Sequence, residues 1–548
     1  MNVLLTTINS KYIHQNLAIR LLYELNKNEA DLHVHEFTLR TPHDDIVDYC
    51  ATFQMVAFSC YIWNITQTLE VAKKIKLRNP DCLILLGGPE VSFEWKDIIA
   101  LNEIDFIITD EGEIPFSKLL TSFPALDTVP GLIWKKEGTV IENKTTELFD
   151  LNNLADINPY SSIPDEELNN KICYIEATRG CPHRCIYCLA GIQNKVRTIP
   201  AMAVEANLLY LMERGKTIKF LDRTFNANPR YAISIFQFII QHCRPANVFQ
   251  FEIKADVPQP ELIEFIQQHV PKGIFRFEIG IQTLNAKSNQ EINRKLDFDN
   301  IKSFINQIQD KIEIHLDLIV GLPNDYLEDV KYSFEEVFKL FAPELQLGFL
   351  KFLKGTPIRE NCAEHGYQFH QTPPYQIIES NYLSTQELDE IAIVEDTLDL
   401  YWNKKRAVNT LKYIASTSSI YDFLLGLGTY LQSKQSFNKV ELSKIYTVLK
   451  EFTTINNPQN QLLIELIALD YYLQYKIKPS IRFLPELESF ERTAIINNRG
   501  LNPQKFRYVI HTVNFNVEKF MTDNIMEKAD DLLIVEYNGT SKPRLIVR

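Results

Sequence analysis

Three cysteines lie close together about one third of the way along the chain, in the stretch Arg-Gly-Cys-Pro-His-Arg-Cys-Ile-Tyr-Cys. They are Cys181, Cys185 and Cys188, with three residues in the first gap and two in the second. Thiolates are the usual protein ligands of iron–sulfur clusters, and a four-iron cluster normally takes four of them. A set of three therefore predicts a cluster with one iron free to bind another molecule. The stretch follows the apolar run Ile172–Ile175, so we expect it on a loop after a strand.

A zinc site and unliganded core thiols are the alternatives. Structural zinc takes four protein ligands, and His183, which would be the fourth, lies between two of the cysteines, where a tetrahedral wrap is cramped. We expect the remaining cysteines to be buried apolar residues rather than ligands. They are Cys50, Cys60, Cys82, Cys173, Cys243 and Cys362. Nine cysteines with no pairing pattern favour a reduced, cytoplasmic setting.

The composition is that of an ordinary globular protein, with 45% apolar and 23% charged residues. At 548 residues the chain is long enough for about three domains. No apolar run is long enough for a transmembrane helix, and the start Met-Asn-Val-Leu-Leu resembles a strand more than a signal peptide. The net charge of −13 argues against a broad nucleic-acid footprint and leaves a local basic groove open.

Short apolar strands alternate with helical stretches in two successive series. The first series occupies residues 1–140 and predicts a doubly wound, Rossmann-like parallel sheet. A proline-containing linker at 141–166 separates it from the second series, residues 167–374, whose six strand–helix units predict a partial (β/α)6 barrel. Residues 375–548 are expected to form a mostly helical α+β domain. Ligands of parallel sheets bind at the carboxyl ends of the strands, and the cysteine loop follows the first strand of the second series.

Polar residues alternate along the third and fourth strands of the second series. Period-two alternation puts Glu252, Lys254 and Asp256 on one face, and it does the same for Glu278, Gly280 and Gln282. Buried charges need partners, so the lumen of the predicted barrel holds either ligand-binding groups or a structural network of ion pairs.

The cysteine spacing resembles the cluster loop of radical S-adenosylmethionine (SAM) enzymes. Phe220-Leu221-Asp222-Arg223-Thr224-Phe225 is similar to the Asp-Asp-x-Phe motif of cobalamin-dependent members, with Arg223 in place of the second acid. Glu278-Ile279-Gly280-Ile281-Gln282 and Gly321-Leu322-Pro323 resemble the motifs near the ribose and the adenine. The resemblance implies a 4Fe-4S cluster on the three cysteines and a SAM site. The residues expected to bind SAM are Tyr187, Asp222, Glu252, Lys254, Glu278, Gln282 and Gly321.

The first series resembles the cobalamin-binding domain that precedes many such cores. His14, Ser59-Cys60-Tyr61 and Gly87-Gly88 fall at nearly the family's distances, although the family's Asp and Gly around the histidine are Tyr12 and Leu17 here. Without the aspartate as a partner for the imidazole, the sequence leaves cobalt ligation by His14 open. The residues expected to contact cobalamin are Asn9, Tyr12, His14, Ser59, Tyr61, Trp63, Gly87, Gly88, Glu111 and Gly112.

The resemblance implies reductive cleavage of SAM at the cluster and cobalamin-dependent methylation of an unactivated centre in an unknown substrate. It also implies a reductant such as ferredoxin or flavodoxin. Two alternatives remain open: cyclisation or rearrangement with cobalamin but without methyl transfer, and a non-catalytic iron–sulfur protein. No hydrolytic triad, phosphate loop or paired-carboxylate pattern is found, and no residue is identified as catalytic.

Overall fold

The computed structural model describes residues 1–145, 147–192, 195–434, 437, 441–456, 458–523 and 525–547. The chain divides into two compact units. The first comprises Met1–Tyr326 and Phe349–Ser384, and the second comprises Leu327–Gly348 and Thr385–Arg548. The two strand–helix series therefore share one unit, and the predicted boundaries at 140, 166 and 374 stay predictions.

The N-terminal sheet of the first unit has seven strands in the order β2-β1-β3-β4-β5-β6-β7. The first five pair in parallel, whereas β6 and β7 extend the sheet as an antiparallel hairpin. The strands are β1 (Asn2–Asn9), β2 (Asp31–Thr38), β3 (Met55–Ser59), β4 (Leu83–Gly87), β5 (Phe106–Ile108), β6 (Leu132–Lys136) and β7 (Thr139–Glu142). The helices are α1 (Leu17–Asn26), α2 (His43–Cys50), α3 (Ile65–Arg78), α4 (Pro89–Ser92), α5 (Lys96–Ile99) and α6 (Glu113–Ser122).

Alternate residues of β1 enter two separate apolar cores. Leu4 and Ile8 pack on one face of the sheet, and Val3 and Leu5 pack on the other. A sheet with helices on both faces needs both sides apolar, so this run of buried residues confirms the doubly wound prediction.

The second series forms an open parallel sheet. Five strands in the order β14-β13-β12-β11-β8 lie in the first unit. The strands are β8 (Ile172–Ile175), the short hairpin β9 (Thr178–Arg179) and β10 (Arg197–Thr198), β11 (Thr217–Phe220), β12 (Val248–Glu252), β13 (Phe275–Gln282), β14 (Glu313–Val320) and β15 (Glu344–Phe349). The helices are α7 (Asp165–Leu168), α8 (Ala201–Arg214), α9 (Pro229–His242), α10 (Pro260–His269), α11 (Ala286–Glu291), α12 (Phe298–Ile308) and α13 (Leu327–Phe338).

This alternation confirms the predicted partial barrel. The face of the sheet toward the helices is aromatic, with Phe220, Phe251 and Phe277 fully buried. The other face carries half-buried polar residues, as the period-two pattern predicts. Leu350, just after β15, donates its N–H to the carbonyl of Val320 at 2.9 Å, so this segment continues the edge next to β14.

Three short elements follow within the first unit: α14 (Pro357–Glu360), β16 (Gln368–Phe369) and β17 (Ile377–Glu379). The second unit contains most of the helices predicted for the C-terminal region and one antiparallel sheet. Its helices are α15 (Thr385–Leu398), α16 (Val408–Thr417), α17 (Ile420–Lys434), α18 (Leu442–Asn456), α19 (Gln461–Gln474), α20 (Ser489–Asn498) and α21 (Val517–Asp523), and its sheet contains β18 (Arg507–Phe515), β19 (Lys528–Tyr537) and β20 (Arg544–Ile546).

Helix α13 belongs to this second unit although it follows β14 in the chain. Its Phe334 and Phe338 contact Tyr421 and Trp402, and Trp402 donates its indole N–H to the carbonyl of Ala342 at 2.9 Å. None of the helices in the described part of the chain has the length and apolar character needed to span a membrane.

Candidate active site

The cysteine loop follows β8 and the hairpin strand β9, as predicted. Cys181 and Cys185 are buried and Cys188 is half-buried. Successive turns fold the loop on itself, since Cys188 donates its N–H to the carbonyl of Cys185 and Gly191 donates to that of Cys188. A Cβ on Gly191 would lie 2.8 Å from the carbonyl oxygen of Cys185, closer than real Cβ contacts allow. Glycine is therefore required for the tight loop that holds the three thiols.

Two polar side chains from outside the loop contact these thiols. Arg294 donates from Nη1 to Cys185 Sγ at 3.9 Å, and Thr224 Oγ1 lies 3.6 Å from Cys181 Sγ. Hydrogen bonds and charge beside the sulfurs tune an iron–sulfur cluster. Tyr187, the predicted SAM contact inside the loop, lies beside Cys185, and burial raises the pKa of its phenol.

Among the described residues, no three His, Cys, Asp or Glu side chains are grouped as a site for a single metal ion. His183 is half-buried, and burial together with Lys254 and Arg294 lowers its pKa. Four of the six other cysteines are buried as expected: Cys50, Cys60, Cys82 and Cys173. The expectation is wrong for Cys243 and Cys362, which are half-buried: Cys243 follows α9 directly, and Cys362 lies two residues after α14.

Asp222 is buried directly after β11, where it anchors the start of the cysteine loop. One carboxylate oxygen accepts the N–H of Ala177 at 3.0 Å, and the other accepts the hydroxyl of Thr178 at 2.7 Å. Burial raises the pKa of Asp222 to about 7. Its role in holding the amino group of SAM stays a prediction, and the contacts indicate that Asp222 also positions the loop.

The lumen face contains ion pairs, the alternative that the sequence left open. Glu278 accepts from Lys219 with both oxygens at 2.8 Å, and Glu252 accepts from Arg223 at 3.3 Å. Glu252 is 29% exposed, and burial raises the pKa of its carboxyl. Each carboxylate oxygen can accept more than one hydrogen bond, so an ion pair does not prevent either residue from binding a ligand.

The alternation proposed for Glu252, Lys254 and Asp256 is wrong beyond the first residue, because β12 ends at Glu252. Beyond that point the side chain of Asn226 replaces the sheet hydrogen bonds. It accepts the backbone N–H of Lys254 and donates to the carbonyl of the same residue. Lys254 nevertheless turns inward, where its ammonium lies 2.6 Å from Asp256, and burial lowers its pKa.

Gln282, the last residue of β13, lies on the same half-buried face as Glu278 and Gly280, as the alternation predicts. The register of β13 shifts between Gly280 and Gln282, and Gln282 has a φ of +72°. Such a backbone is strained for a residue other than glycine and often marks a functional site. At this bulge the amide of Gln282 occupies the space that a side chain on Gly280 would need.

Three buried polar atoms near the cysteine loop have no hydrogen-bond partner in the described part of the chain: Asp256 Oδ1, Gln282 Oε1 and Arg294 Nε. Unsatisfied buried polar atoms cost free energy unless a ligand or water satisfies them. Two acceptors and a donor fit a zwitterionic ligand bound next to the cluster. Gly321, with a φ of +94°, ends β14 as predicted, and its carbonyl accepts the hydroxyl of Tyr367 at 2.8 Å.

Several predicted cobalamin contacts converge at the carboxyl edge of the N-terminal sheet. Asn16 joins them: its amide donates to Ser59 Oγ at 3.2 Å and to the Tyr61 hydroxyl at 3.4 Å. Asn9 donates to the carbonyl of His14 at 3.2 Å and to Glu36 at 2.6 Å. The loop after β1 is therefore held against the end of β3.

Gly87 and Gly88 end the neighbouring strand β4 and pack against β3. Gly88 has a φ of +107°, and a Cβ there would lie 2.6 Å from the carbonyl oxygen of Cys60. Both the backbone angle and the close approach require glycine. The glycine pair thus brings a bare backbone to the same edge.

Aromatic side chains are exposed at this edge. Tyr61 stacks on Trp63 with ring centroids 4.4 Å apart, and Trp63 and Tyr12 are 45% and 60% exposed. The amide of buried Gln15 has no partner for its nitrogen or its oxygen among the described residues. Exposed rings beside unpaired amide groups fit a large, flat ligand bearing amides, such as a corrin.

His14 contacts the core domain. Its Nδ1 lies 2.6 Å from the hydroxyl of Tyr174, which is on the lumen face of β8. Burial, with Lys11 and Lys219 nearby, lowers the pKa of His14. Whether His14 also binds cobalt stays open, and the contact gives it a second role in joining the two sheets.

Glu111 and Gly112 follow β5 as predicted, but Glu111 is engaged in ion pairs. It pairs with Arg197 and lies 3.6 Å from Arg179, and Arg179 also binds Glu113 at 2.7 Å. Arg179 immediately precedes the Gly-Cys pair that starts the cysteine loop. A contact of Glu111 with cobalamin remains a prediction, whereas its contact with the core is observed.

Sequence reasoning missed Tyr174, Lys219, Arg294 and His315, which also lie on or beside the lumen. The first two were detectable by the period-two rule that located Glu278, since Tyr174 and Lys219 pair directly in the β8–β11 register. His315 lies 3.1 Å from Asp317 on β14 by the same alternation. Arg294 follows a helix and has no periodic signal.

Three known families match separate parts of the chain. The B12-binding domain matches residues 3–120, the radical SAM superfamily matches residues 175–337, and a family of unknown function, DUF4080, matches residues 363–530. The radical SAM match includes the cysteine loop, and the iron–sulfur cluster on its three cysteines stays a prediction.

Curated relatives and solved structures agree with these matches. An uncharacterized methyltransferase of Pyrococcus horikoshii is 23% identical over 52% of this chain and 63% of its own length. The cobalamin-dependent radical SAM methyltransferase TokK of Streptomyces tokunonensis is 28% identical over 27% of this chain and 24% of its own length. This chain therefore spans less than two thirds of either relative.

The fold is shared with the cobalamin-dependent SAM radical enzyme OxsB, whose structure contains aqua-cobalamin and SAM. The TM-score is 0.58 at 14% identity, over 91% of this chain and 81% of the other. Likeness at this level of identity concerns the fold.

Proposed function

We propose that this chain, which combines a B12-binding domain with a radical SAM domain and is homologous to cobalamin-dependent radical SAM methyltransferases, is itself a cobalamin-dependent radical SAM enzyme that methylates an unactivated centre. One observation carries the proposal: the carboxyl edge of the N-terminal sheet contacts the cysteine side of the core. Loops after β1, β4 and β5 reach the core through His14, Glu90 and Glu111.

The core would bind the cluster and SAM, and the carboxyl edge of the N-terminal sheet would bind cobalamin. Cys181, Cys185 and Cys188 would hold the cluster, and the unpaired atoms of Asp256, Gln282 and Arg294 would bind the polar groups of SAM. The stacked pair Tyr61–Trp63, of which the Trp63 ring is exposed, would lie against the corrin. When bound, the cluster supplies an electron for cleavage of SAM and cobalamin carries the methyl group.

The lumen between these edges would receive the substrate. The His315–Asp317 pair, Lys219 and Arg223 line its surface, beside Glu252 and Glu278, which are expected to bind SAM. These charged groups would orient a polar substrate. A reductant such as ferredoxin or flavodoxin would deliver the electron; the substrate class is not specified by these contacts.

Anaerobic purification with iron, sulfide and corrinoid quantified tests the proposal. We expect about four irons per chain, stoichiometric corrinoid, and reduction-dependent formation of 5′-deoxyadenosine from SAM. With methyl-labelled SAM, the label should appear on cobalamin together with S-adenosylhomocysteine.

A Cys181→Ala, Cys185→Ala, Cys188→Ala triple variant is the matched control. It should lose iron and SAM cleavage and retain corrinoid. The reason is that the corrin edge, the carboxyl edge of the N-terminal sheet, is built from other loops. Formation of 5′-deoxyadenosine without labelled cobalamin would favour the cyclisation or rearrangement chemistry. Zinc in place of iron, or no corrinoid, would refute the proposal.

A further inference from the structure

A short segment after β15 contacts both cofactor loops at once. We call residues 353–359, Leu-Lys-Gly-Thr-Pro-Ile-Arg, the bridging segment. From it we infer that residues 353–359 set the position of the cobalamin edge relative to the cluster, so that disrupting these contacts separates the two cofactor sites while leaving each of them formed. The inference rests on the proposed function, and it gives residues 353–359 a positioning role that the proposed function does not include.

The first contact of the bridging segment is with the cysteine loop. Ile358 donates its backbone N–H to the carbonyl of Ile186 at 3.2 Å, and Ile186 lies between Cys185 and Cys188. Ile186 in turn donates its N–H to the carbonyl of Ile292 at 3.2 Å. Ile358 is 1% exposed, so this backbone bond is shielded from water. The segment therefore holds the cysteine loop by a contact that does not involve β8 or β9.

The second contact is with Glu94, two residues after α4, the short helix that follows Gly87 and Gly88. Arg359 binds Glu94 with two parallel hydrogen bonds, from Nε at 2.6 Å and from Nη2 at 2.7 Å. Its third nitrogen, Nη1, donates to the carbonyl of Phe352 at 2.7 Å. A bidentate guanidinium–carboxylate pair is directional, so Arg359 fixes an orientation as well as a distance.

A buried contact reinforces this pair. The carboxylate of Glu90, 3% exposed, accepts the hydroxyl of Tyr375 at 2.7 Å, and Lys354 donates to the backbone carbonyl of Glu90 at 3.2 Å. Burial raises the pKa of Glu90 although both neighbours oppose this. Tyr375 is itself tied to the segment, since Phe352 donates its N–H to the carbonyl of Tyr375 at 3.0 Å.

Gly355 shows how closely the two parts approach. Its φ is +81°, and a Cβ at this position would lie 2.4–2.6 Å from three ring carbons of Phe93. Phe93 follows α4 directly and precedes Glu94. Gly355 thus contacts Phe93 at a distance that only a glycine permits. The same seven residues therefore contact both the cysteine loop and the loop that follows Gly87 and Gly88.

A spectroscopic distance measurement tests this inference on the full-length holoenzyme. The reduced cluster and cob(II)alamin are both paramagnetic, and their dipolar coupling reports their separation. In Glu94→Gln, Tyr375→Phe and the double variant we expect wild-type iron and corrinoid contents and a progressively broader distribution of distances. Asp44→Asn, which breaks the exposed Lys74–Asp44 pair within the N-terminal domain, should leave the distribution unchanged.

Hydrogen exchange on the apoprotein provides a second test that needs no cofactor. Gly355→Ala should accelerate exchange in both loops, 183–191 and 87–95, by about tenfold, which corresponds to about 1.4 kcal/mol of local stability. Phe93→Ala combined with Gly355→Ala removes the ring that the new methyl group meets and should restore part of the protection.

Unchanged distance distributions in the double variant, or acceleration confined to one loop, would overturn the inference. Loss of corrinoid from Glu94→Gln would overturn it as well, because Glu94 would then belong to the corrin site itself. Absence of cluster or corrinoid from the wild type would refute the proposed function, and the exchange experiment would still decide whether one segment holds both loops.

Discussion

Arg294 places a permanent positive charge beside a cluster ligand. Its Nη1 donates to Cys185 Sγ at 3.9 Å, and its Nη2 donates to the carbonyl of Gly280. Hydrogen bonds and charge near the sulfurs tune the potential of an iron–sulfur cluster. A cation stabilises the reduced, more negative state, so Arg294 should raise the midpoint potential.

We expect Arg294→Gln to lower the midpoint potential by roughly 60 mV or more, the equivalent of about 1.4 kcal/mol for one electron. Redox titration followed by electron paramagnetic resonance measures the shift. Arg276→Gln is the control. Arg276 lies near the start of β13, whereas Gly280, the contact of Arg294, lies near its end, and Arg276 pairs with Glu313. Equal shifts in both variants would mean that net charge, rather than the contact with Cys185, sets the potential.

Asp470 is a buried acid in the second unit, where it caps a distant helix. It accepts from the backbone N–H groups of Asn409 and Thr410 at the start of α16 and from both side chains. Burial raises its pKa from 3.8 to about 6. Lys412 and Tyr446 are the titratable groups beside it.

The raised pKa gives the stability of the second unit a defined pH dependence. Between about pH 4 and 6 the folded state binds a proton that the unfolded state has lost, so stability is greatest below this window and is lost as the pH rises through it. From pH 5.5 to 7.5 we expect the wild type to lose roughly 1 kcal/mol relative to Asp470→Asn. Denaturant unfolding of both proteins measures this difference, and parallel pH profiles would contradict the assignment.

At the scale of elements, Asn16 connects a helix cap to the corrin edge. Its Oδ1 accepts the N–H of Ile19 at the start of α1, while its amide nitrogen donates to Ser59 and Tyr61. One side chain therefore stabilises α1 and positions two predicted cobalamin contacts.

Two substitutions separate these roles. Asn16→Ser keeps a good N-cap residue but is too short to reach Ser59, so it should weaken corrinoid binding and leave the melting temperature nearly unchanged. Asn16→Ala removes both roles and should also cost about 1 kcal/mol of stability. Spectrophotometric corrinoid titration and thermal unfolding measure the two effects. Equal corrinoid affinity in Asn16→Ser and wild type would exclude the positioning role.

Local patterns were sufficient for the strand before the cysteine loop. The apolar run Ile172–Ile175 forms β8 with the bounds that the sequence predicts. The position of the cysteine loop followed from the same boundary. Its placement after a strand was therefore predictable without tertiary information.

Long-range contacts explain the errors. Helix α16 has no local start signal, because its N-terminus is capped by Asp470, about sixty residues away, and not by a neighbouring side chain. The alternation of Glu252, Lys254 and Asp256 failed because Asn226, from another strand end, replaces the sheet hydrogen bonds of Lys254. In contrast, the start of α20 is capped locally, by a capping box between Glu488 and Glu491.

At the scale of the whole molecule, the order of the chain does not match the order of its units. Sequence alternation assigned α13 to the core, yet α13 and the turn after it pack within the second unit. Glu335 on α13 accepts from the hydroxyl of Ser419 at 2.7 Å and from the N–H of Tyr421 at 2.9 Å, which caps the start of α17. The second unit is thus completed by an inserted segment of the core sequence.

This insertion makes the C-terminal region a structural necessity for the segment 327–348. Removing residues 385–548 would leave Phe334 and Phe338, both buried, without Tyr421 and Trp402. We expect the protein truncated after residue 384 to bind the dye ANS and to aggregate, because it exposes several large apolar side chains at once. A second truncation that also replaces Phe334 and Phe338 by Ser should recover solubility. A truncated protein that stays monomeric without ANS binding would show that α13 folds without the second unit, and the sequence-based domain boundary at 374 would then be the better one.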